Sequence, residues 1–285
     1  MESRGGKKGM DKAIILNVFD FISFHVCKTL LEKGIEVRGI HVEDSIKEPF
    51  SEDKRLEVGR NANFQEQSLL TWMDREKEDN GNTKVIFSLY DLFMLYKEAI
   101  LQKDNVKDPI INLMDQSDGV VIILPSQMVS TSFASPALNV LKDFLKLTAA
   151  VKQKFQFVYL PTIYGPWQPE TFTFQRALLS KLNRNEIFKE TREDTTDAIY
   201  IDDAVEAICD IVNIGKEGRF LLESGRKNHW EMCAAYLNID GNLAKKRETN
   251  KSNDESFIVP VKKVTSISES IAKQTELTQR LYSSY

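Results

Sequence analysis

The junction at residues 13–26 constrains this chain more than any other stretch. Ala13-Ile14-Ile15-Leu16 is wholly apolar, as expected of a strand covered on both faces. Asn17 to Asp20 then supply a tight turn, since Asn and Asp bond their own backbone and tolerate unusual angles. From Phe21 the apolar side chains fall at 21, 22, 26, 30 and 31, one face of a helix that Gly34 stops. Glu36–Val42 reads as a second strand. Strand, turn, helix and strand in so short a span make a parallel pair joined by a crossover.

The same alternation continues. Val85–Leu89 reads as a third strand, with helices beginning at Leu92–Leu101 and Ile110–Met114. Gly119–Leu124 is a strand buried on both faces, Ala137–Val151 a helix and Phe155–Leu160 a strand. Phe174–Leu182 is a helix, and the short strand Ala198–Ile201 runs into helix Asp203–Val212 with Asp202 as its N-cap. Strand Arg219–Leu222, helix Trp230–Leu237, a polar linker at Lys245–Glu255 and an amphipathic helix at Ser266–Tyr282 complete the chain. The stretch from Glu43 to Thr83 is rich in Glu, Lys and Asn, with one apolar island at Leu69–Met73. So polar a run buries little, and a mobile insertion is expected at about 44–82. Alternating strands and helices imply a parallel, doubly wound α/β sheet with helices on both faces.

With 285 residues, 42% of them hydrophobic, the chain has material for one large α/β domain and a small C-terminal lobe. A net charge of −4 leaves no electrostatic footprint for nucleic acid or an anionic membrane surface. No apolar run approaches the length that spans a bilayer. Met1 to Lys12 is basic but leads into no signal-like segment, and a disordered leader is expected there. Cys27, Cys209 and Cys233 are odd in number and scattered, which fits core thiols in a reducing cytoplasm. His25, His41 and His229 have no metal-ligand spacing, so no metal site is expected.

Four segments carry a resemblance. Phe21-Ile22-Ser23-Phe24-His25-Val26, with Leu30-Leu31-Glu32-Lys33-Gly34-Ile35-Glu36-Val37-Arg38-Gly39-Ile40, resembles F-I-G-S-H-L and L-L-x-x-G-H-E-V-x-G-I-D. Asp118-Gly119-Val120-Val121-Ile122-Ile123-Leu124 resembles a fourth strand. Ile163-Tyr164-Gly165-Pro166-Trp167-Gln168-Pro169 resembles V-Y-G-P-x-Q. Asp197-Ala198-Ile199-Tyr200-Ile201-Asp202-Asp203-Ala204-Val205-Glu206-Ala207-Ile208 resembles D-F-I-Y-V-D-D-V-A-E-A-I. Together, in this order and spacing from about residue 12 to 282, they are similar to the extended short-chain dehydrogenase/reductases, the nucleotide-sugar epimerases and dehydratases. The resemblance implies a Rossmann-like doubly wound parallel sheet over 13–165. It also implies a C-terminal part, 166–285, that completes the sheet and forms a small α/β lobe resembling a substrate domain.

The resemblance also says where chemistry should be. Its G-x-x-G-x-x-G slots, where backbone meets the cofactor's pyrophosphate at a helix N-terminus, hold Asn17, Asp20 and Ser23. Asp20 places a carboxylate at that entrance or caps the helix itself. Like charges about 4 Å apart cost roughly 4 kcal/mol at an effective dielectric near 20, enough for ~10³-fold in affinity. Phe19 and Phe24 add bulk where the family has small residues. The acidic residue expected to bond the adenosine ribose is replaced by His41, with Glu43 two residues on. The catalytic Y-x-x-x-K, which sets acid/base and lysine on one helix face, is absent: no tyrosine is followed by lysine at the fourth position. Leu138-Asn139-Val140-Leu141-Lys142 is the nearest mimic.

Two registers stay open over 119–160. In one, Gly119–Leu124 is the fourth strand and Asn139 begins the next helix. In the other it is the fifth, with Ser126 the relic of the catalytic serine and Lys142 of the lysine. Tyr164 and Arg192 are candidates for a substrate cleft. Ser130-Thr131-Ser132 and His229-Trp230 read as a polar loop and as packing. The sequence favours a pseudoenzyme that binds a protein partner or small ligand, with no cofactor expected. A divergent NDP-sugar epimerase, dehydratase or reductase using NAD or NADP is the first alternative. An oligomeric structural subunit, such as a homodimer paired through helices, is the second.

Overall fold

A computed structural model describes residues 10–42, 50–73, 82–129, 135–182, 192–239 and 256–282. In chain order the strands are β1 (Lys12–Leu16), β2 (Glu36–His41), β3 (Phe64–Ser68), β4 (Thr83–Ser88) and β5 (Gly119–Pro125). They continue as β6 (Phe155–Leu160), β7 (Thr162–Tyr164), β8 (Ala198–Tyr200), β9 (Gly218–Glu223) and β10 (Ser256–Pro260). Eight of them form one sheet in the order β10-β9-β6-β5-β4-β1-β2-β3, while β7 and β8 pair separately. Every pairing is parallel. The run 3-2-1-4-5-6 is the dinucleotide-fold order, whose direction reverses between β1 and β4 and opens a crevice at their carboxyl ends.

The helices are α1 (Phe21–Glu32), α2 (Ser51–Val58), α3 (Leu69–Met73), α4 (Leu89–Met94) and α5 (Asp104–Asp115). After them come α6 (Pro136–Thr148), α7 (Thr173–Lys181), α8 (Ile201–Ile214), α9 (His229–Leu237) and α10 (Ile267–Tyr282). Single 3₁₀ turns cover Glu98–Gln102 and Ser126–Met128. Helix α1 stops as its sequence predicts: Gly34 takes φ +77°, and Gly34 N and Ile35 N donate to Leu31 O and Leu30 O. All seven residues of β5 are buried, as a strand between two others under helices should be. Gly39 in β2 lies against the turn after β1, where an added Cβ would sit 2.7 Å from Val18 Cγ1.

Three expectations change. First, the polar stretch expected to hold a mobile insertion contains α2, β3 and α3 among its described residues. Strand β3 lies at the sheet edge and pairs only with β2, leaving Gln65 and Glu66 exposed; an edge needs no apolar alternation, so its residues carry no strand pattern. Val85–Leu89 is therefore the fourth strand. Gly119–Leu124 is the fifth rather than the fourth, which resolves the open register. Second, β10 forms the opposite edge, with Phe257 and Ile258 exposed. Third, the N-cap of α8 is Tyr200, and Asp202 lies in its first turn beside Asp203. The leader expected at 1–12 and the linker at 245–255 lie largely or wholly outside the described residues, but Met10 is buried and Lys12 opens β1. Ser130-Thr131-Ser132 also lies outside them. Among the described residues no helix is long and apolar enough to cross a membrane. The three cysteines are buried and free, and among the described residues no cluster of His, Cys, Asp and Glu could hold a metal.

Candidate functional site

The crevice between β1 and β4 is closed by a carboxylate that the sequence did not single out. Asn17, in the first glycine slot, takes φ +50°. It donates from its backbone N to Ile40 O at 2.8 Å and accepts at Oδ1 from Val42 N at 3.3 Å. The left-handed turn thus survives the loss of glycine because Asn tolerates it. Asp20 occupies the N-cap position of α1 with extended backbone (φ −67°, ψ 165°), but its side chain makes no capping bond, which corrects the expectation that it caps the helix. That role belongs to Asp91. Its Oδ1 accepts from Ile22 N at 3.0 Å, and its Oδ2 accepts from Ser23 N at 3.1 Å. Ser23 Oγ, in the third glycine slot, donates to Leu16 O at 3.3 Å.

Asp91 stands in the first turn of α4, directly after β4. Ser88 caps that helix by accepting from Asp91 N at 3.1 Å. The carboxylate is thereby held at the first turn of α1, where the free amides and the dipole attract negative charge. Asp91 is 1% exposed. Burial drives its carboxyl up to about 6, opposed by the amides of Ile22 and Ser23, the Ser88 hydroxyl and the charge of Lys54. Lys54 is itself buried. It reaches from α2 to donate to Phe19 O at 2.7 Å, and its Nζ lies 5.8 and 5.7 Å from the ring centres of Phe24 and Trp167.

Aromatic rings fill the space around this pair. Phe19 packs on His41 at 5.3 Å and on Phe64 at 6.4 Å, with the Arg55 guanidinium 5.0 Å from its centre. Phe21 meets Phe172 edge-on at 5.7 Å, and Phe24 meets Trp167 at 5.9 Å. In the ribose slot, His41 Nε2 lies 2.7 Å from Glu66 Oε1. Both oxygens of Glu66 also take a bidentate bond from Arg55, each at 2.7 Å. These residues do not fit a dinucleotide diphosphate. The amides that would take its oxygens already hold an anion, and a second would stand beside it.

The catalytic slots are similarly occupied by structural contacts. Ser126 follows the fifth strand, and its Oγ donates to Asp194 Oδ2 at 2.5 Å. Lys142 is half-buried on α6, one turn after Leu138, the nearest mimic of the expected tyrosine, which is 1% exposed. A buried tyrosine does face the crevice, Tyr90, but its hydroxyl donates to Pro161 O at 3.0 Å and accepts from Ile163 N at 3.1 Å. Burial holds its phenol well above the usual range, so it has no proton to exchange near neutrality. Tyr164 is fully buried with its hydroxyl 3.0 Å from Ser270 Oγ. Arg192 forks onto Glu98 at 2.8 and 3.1 Å, donates to Phe93 O at 2.7 Å and stacks over Tyr96 at 3.9 Å. His229 Nδ1 lies 2.7 Å from Ala198 O, and Trp230 packs on Phe174 at 5.5 Å. His25 is buried with Nε2 2.9 Å from Pro166 O, and burial lowers its imidazole to about 4, so the ring is neutral at pH 7.

Asn17, Asp20, Ser23 and His41 therefore do share one junction, while Ser126, Lys142, Tyr164 and Arg192 are distributed around it and mostly engaged. Sequence reading missed Asp91, Lys54, Tyr90 and Glu66. Ser88-x-x-Asp91 has the pattern of a capping box, a local signal for the start of α4. It gave no hint that the carboxylate turns to another helix.

No protein-family model matches the chain, and no curated protein matches it. Solved structures do. UDP-glucuronic acid 4-epimerase from Bacillus cereus, bound to UDP-glucuronic acid and NAD, aligns with TM-score 0.66 and 16% identity over 95% of this chain and 100% of that one. WbmH from Bordetella bronchiseptica, bound to NAD+, aligns with TM-score 0.63 and 14% identity over 96% and 99%. UDP-N-acetylglucosamine 4-epimerase from Methanobrevibacter ruminantium, bound to UDP-N-acetylmuramic acid, aligns with TM-score 0.61 and 14% identity over 97% and 99%. From end to end, then, this chain has the Rossmann-like fold of the nucleotide-sugar epimerases, that of the extended short-chain dehydrogenase/reductases.

Proposed function

We propose that this epimerase-like scaffold no longer takes up a dinucleotide and serves as a binding or regulatory module for a small ligand or a protein partner. The observation that carries the reading is the Asp91 carboxylate on Ile22 N and Ser23 N, an anion of the chain's own in the cofactor's place. The replaced ribose acid and the leucine at the nearest mimic of the tyrosine point the same way. Calorimetry of the purified protein with NAD(H) and NADP(H) at millimolar concentration is expected to show no binding; a micromolar dissociation constant overturns the reading.

A second reading, a divergent NAD-dependent epimerase or reductase, is favoured by the end-to-end likeness to NAD-bound epimerases and by Ser126 following the fifth strand. It requires Asp91 to swing away from α1 so that the pyrophosphate can enter. Turnover of UDP-glucuronic acid in the presence of NAD, lost in the Ser126→Ala variant, would establish it.

A further inference from the structure

The eight-stranded sheet ends in two strands of opposite character. At one edge β3 presents Gln65 and Glu66 to solvent, and charge on an edge strand discourages a further strand from pairing. At the other edge β10 reads Ser256-Phe257-Ile258-Val259-Pro260 and carries no charge. Phe257 is 48% and Ile258 60% exposed, on opposite faces of the sheet because successive side chains alternate. Phe257 stacks on Phe220 at 5.8 Å, with Lys216 Nζ 4.2 Å from its ring centre. On the other face the strand registers set Tyr159, Leu221 and Ile258 in one row. Tyr159 is buried, Leu221 half-buried and Ile258 bare, so the apolar cover that a parallel sheet needs fades towards this edge.

The backbone of β10 is equally open. Val261 N donates to Glu223 O at 2.9 Å. In a parallel ladder Phe257, Val259 and Val261 therefore turn their polar groups towards β9, while Ser256, Ile258 and Pro260 turn theirs outward. Pro260 has no N–H to offer, which ends the free ladder. An antiparallel copy of the same strand matches this pattern about a two-fold axis at Ile258. Ile258 N of each copy then donates to Ile258 O of the other, and Ser256 N donates to Pro260 O. Phe257 comes to lie beside Val259 of the second copy. The charge order agrees with that direction. The sequence has Asp254-Glu255 before the strand and Lys262-Lys263 after it, an order that antiparallel copies complement and parallel copies oppose.

We propose that β10 pairs edge to edge with β10 of a second copy of this chain, joining the two sheets into one. So short a strand buries less than the ~1,200 Å² of a standard interface, so the dimer is weak, with a dissociation constant on the order of 10–100 µM. Strands β9, β6 and β5 separate this edge from the crevice between β4 and β1, and the dimer does not depend on what binds there.

Sedimentation equilibrium of the full chain, from about 1 µM to about 1 mM, is expected to show monomer and dimer in exchange. Ile258→Lys sets like charges face to face at the axis and should weaken the dimer roughly tenfold or more. Leu56→Lys, at a 74% exposed apolar position on α2, should leave it unchanged. Ile258→Cys supplies a readout that does not require a strong dimer. Facing residues of a bonded antiparallel pair stand about 5.5 Å apart between Cα atoms, within disulfide reach, so mild oxidation should cross-link the two copies. Val259→Cys places its two thiols out of register, about 8 Å apart between Cα atoms, and should not cross-link. Cys27, Cys209 and Cys233 are buried and give no competing bridge. A monomer at every concentration, a dimer indifferent to Ile258→Lys, or equal cross-linking of the two cysteine variants overturns the proposal. A chain that stays monomeric while its β10 edge takes up a different protein would do the same.

Discussion

Helices α1 and α8 each follow a strand, α1 after the turn at residues 17–20 and α8 directly, and they solve the same electrostatic problem in opposite ways. Each presents free amides and the positive end of its dipole at its first turn. Helix α8 carries acids of its own there, Asp202 and Asp203, whereas α1 has none in its first turn. Asp203 also ties the helix to Thr265, accepting from its N at 2.7 Å and its Oγ1 at 2.8 Å. For α1 the charge comes from Asp91, 69 residues further along the chain. The comparison teaches that a helix N-terminus can draw its anion from its own first turn or from a residue distant in the chain. Where an anion supplied by the fold is buried, removing it costs more than removing a local and solvated one.

Asp91→Ala tests this most severely. It leaves Ile22 N and Ser23 N unpaired in a buried site, at a cost of about 2–5 kcal/mol, measured by urea unfolding. The same variant should gain affinity for inorganic pyrophosphate, which calorimetry would detect. A cost below about 0.5 kcal/mol, the range of surface changes, would show that the contact is incidental.

The pH dependence sharpens the same point. Asp91 has its carboxyl raised from 3.8 to about 6, so the folded state binds the proton more tightly than the unfolded one. Its contribution to stability therefore increases as pH falls from 7 towards 4, by ~3 kcal/mol. His25, lowered from 6.5 to about 4, acts in the opposite sense: its contribution is complete above 6.5 and is lost as pH falls towards 4. The two slopes oppose each other in the native protein. The difference between native and Asp91→Asn unfolding curves isolates the first, and a difference independent of pH would refute the assignment.

Lys54→Met removes the donor to Phe19 O and the cation whose charge favours ionised Asp91. A loss of about 1–3 kcal/mol is expected, together with a further rise in the pH at which Asp91 titrates, followed by carboxyl NMR. Asp202→Asn should have the smallest effect. An exposed first-turn acid contributes under ~1 kcal/mol through the helix dipole, a change of a degree or two in Tm. If it equals the loss in Asp91→Ala, the contrast between the two helices collapses.

What was legible in the sequence follows from which signals are local. Ala13–Leu16, the 3.6-residue pattern from Phe21 and the stop at Gly34 all appear as expected, because burial on both faces and a left-handed cap leave marks within a few residues. Strand β3 and strand β10 left none. Both are edges, held by one neighbour's backbone, and backbone bonding does not restrict the side chains. In the site, the turn around Asn17 and the missing tyrosine were readable. The engagement of Arg192 with Glu98 and of Ser126 with Asp194 was not, since these pairs join residues 94 and 68 positions apart.

By itself the sequence determined the alternation of strand and helix and the doubly wound class, both of them consequences of side-chain period and backbone freedom. Only the tertiary structure decided which carboxylate sits on α1. The nearest candidate, Asp20, precedes that helix by one residue, yet the sheet order sets β4 beside β1 and brings Asp91 to its amides instead. Spatial adjacency of strands distant in sequence is a property of the packed sheet, and no local pattern encodes it.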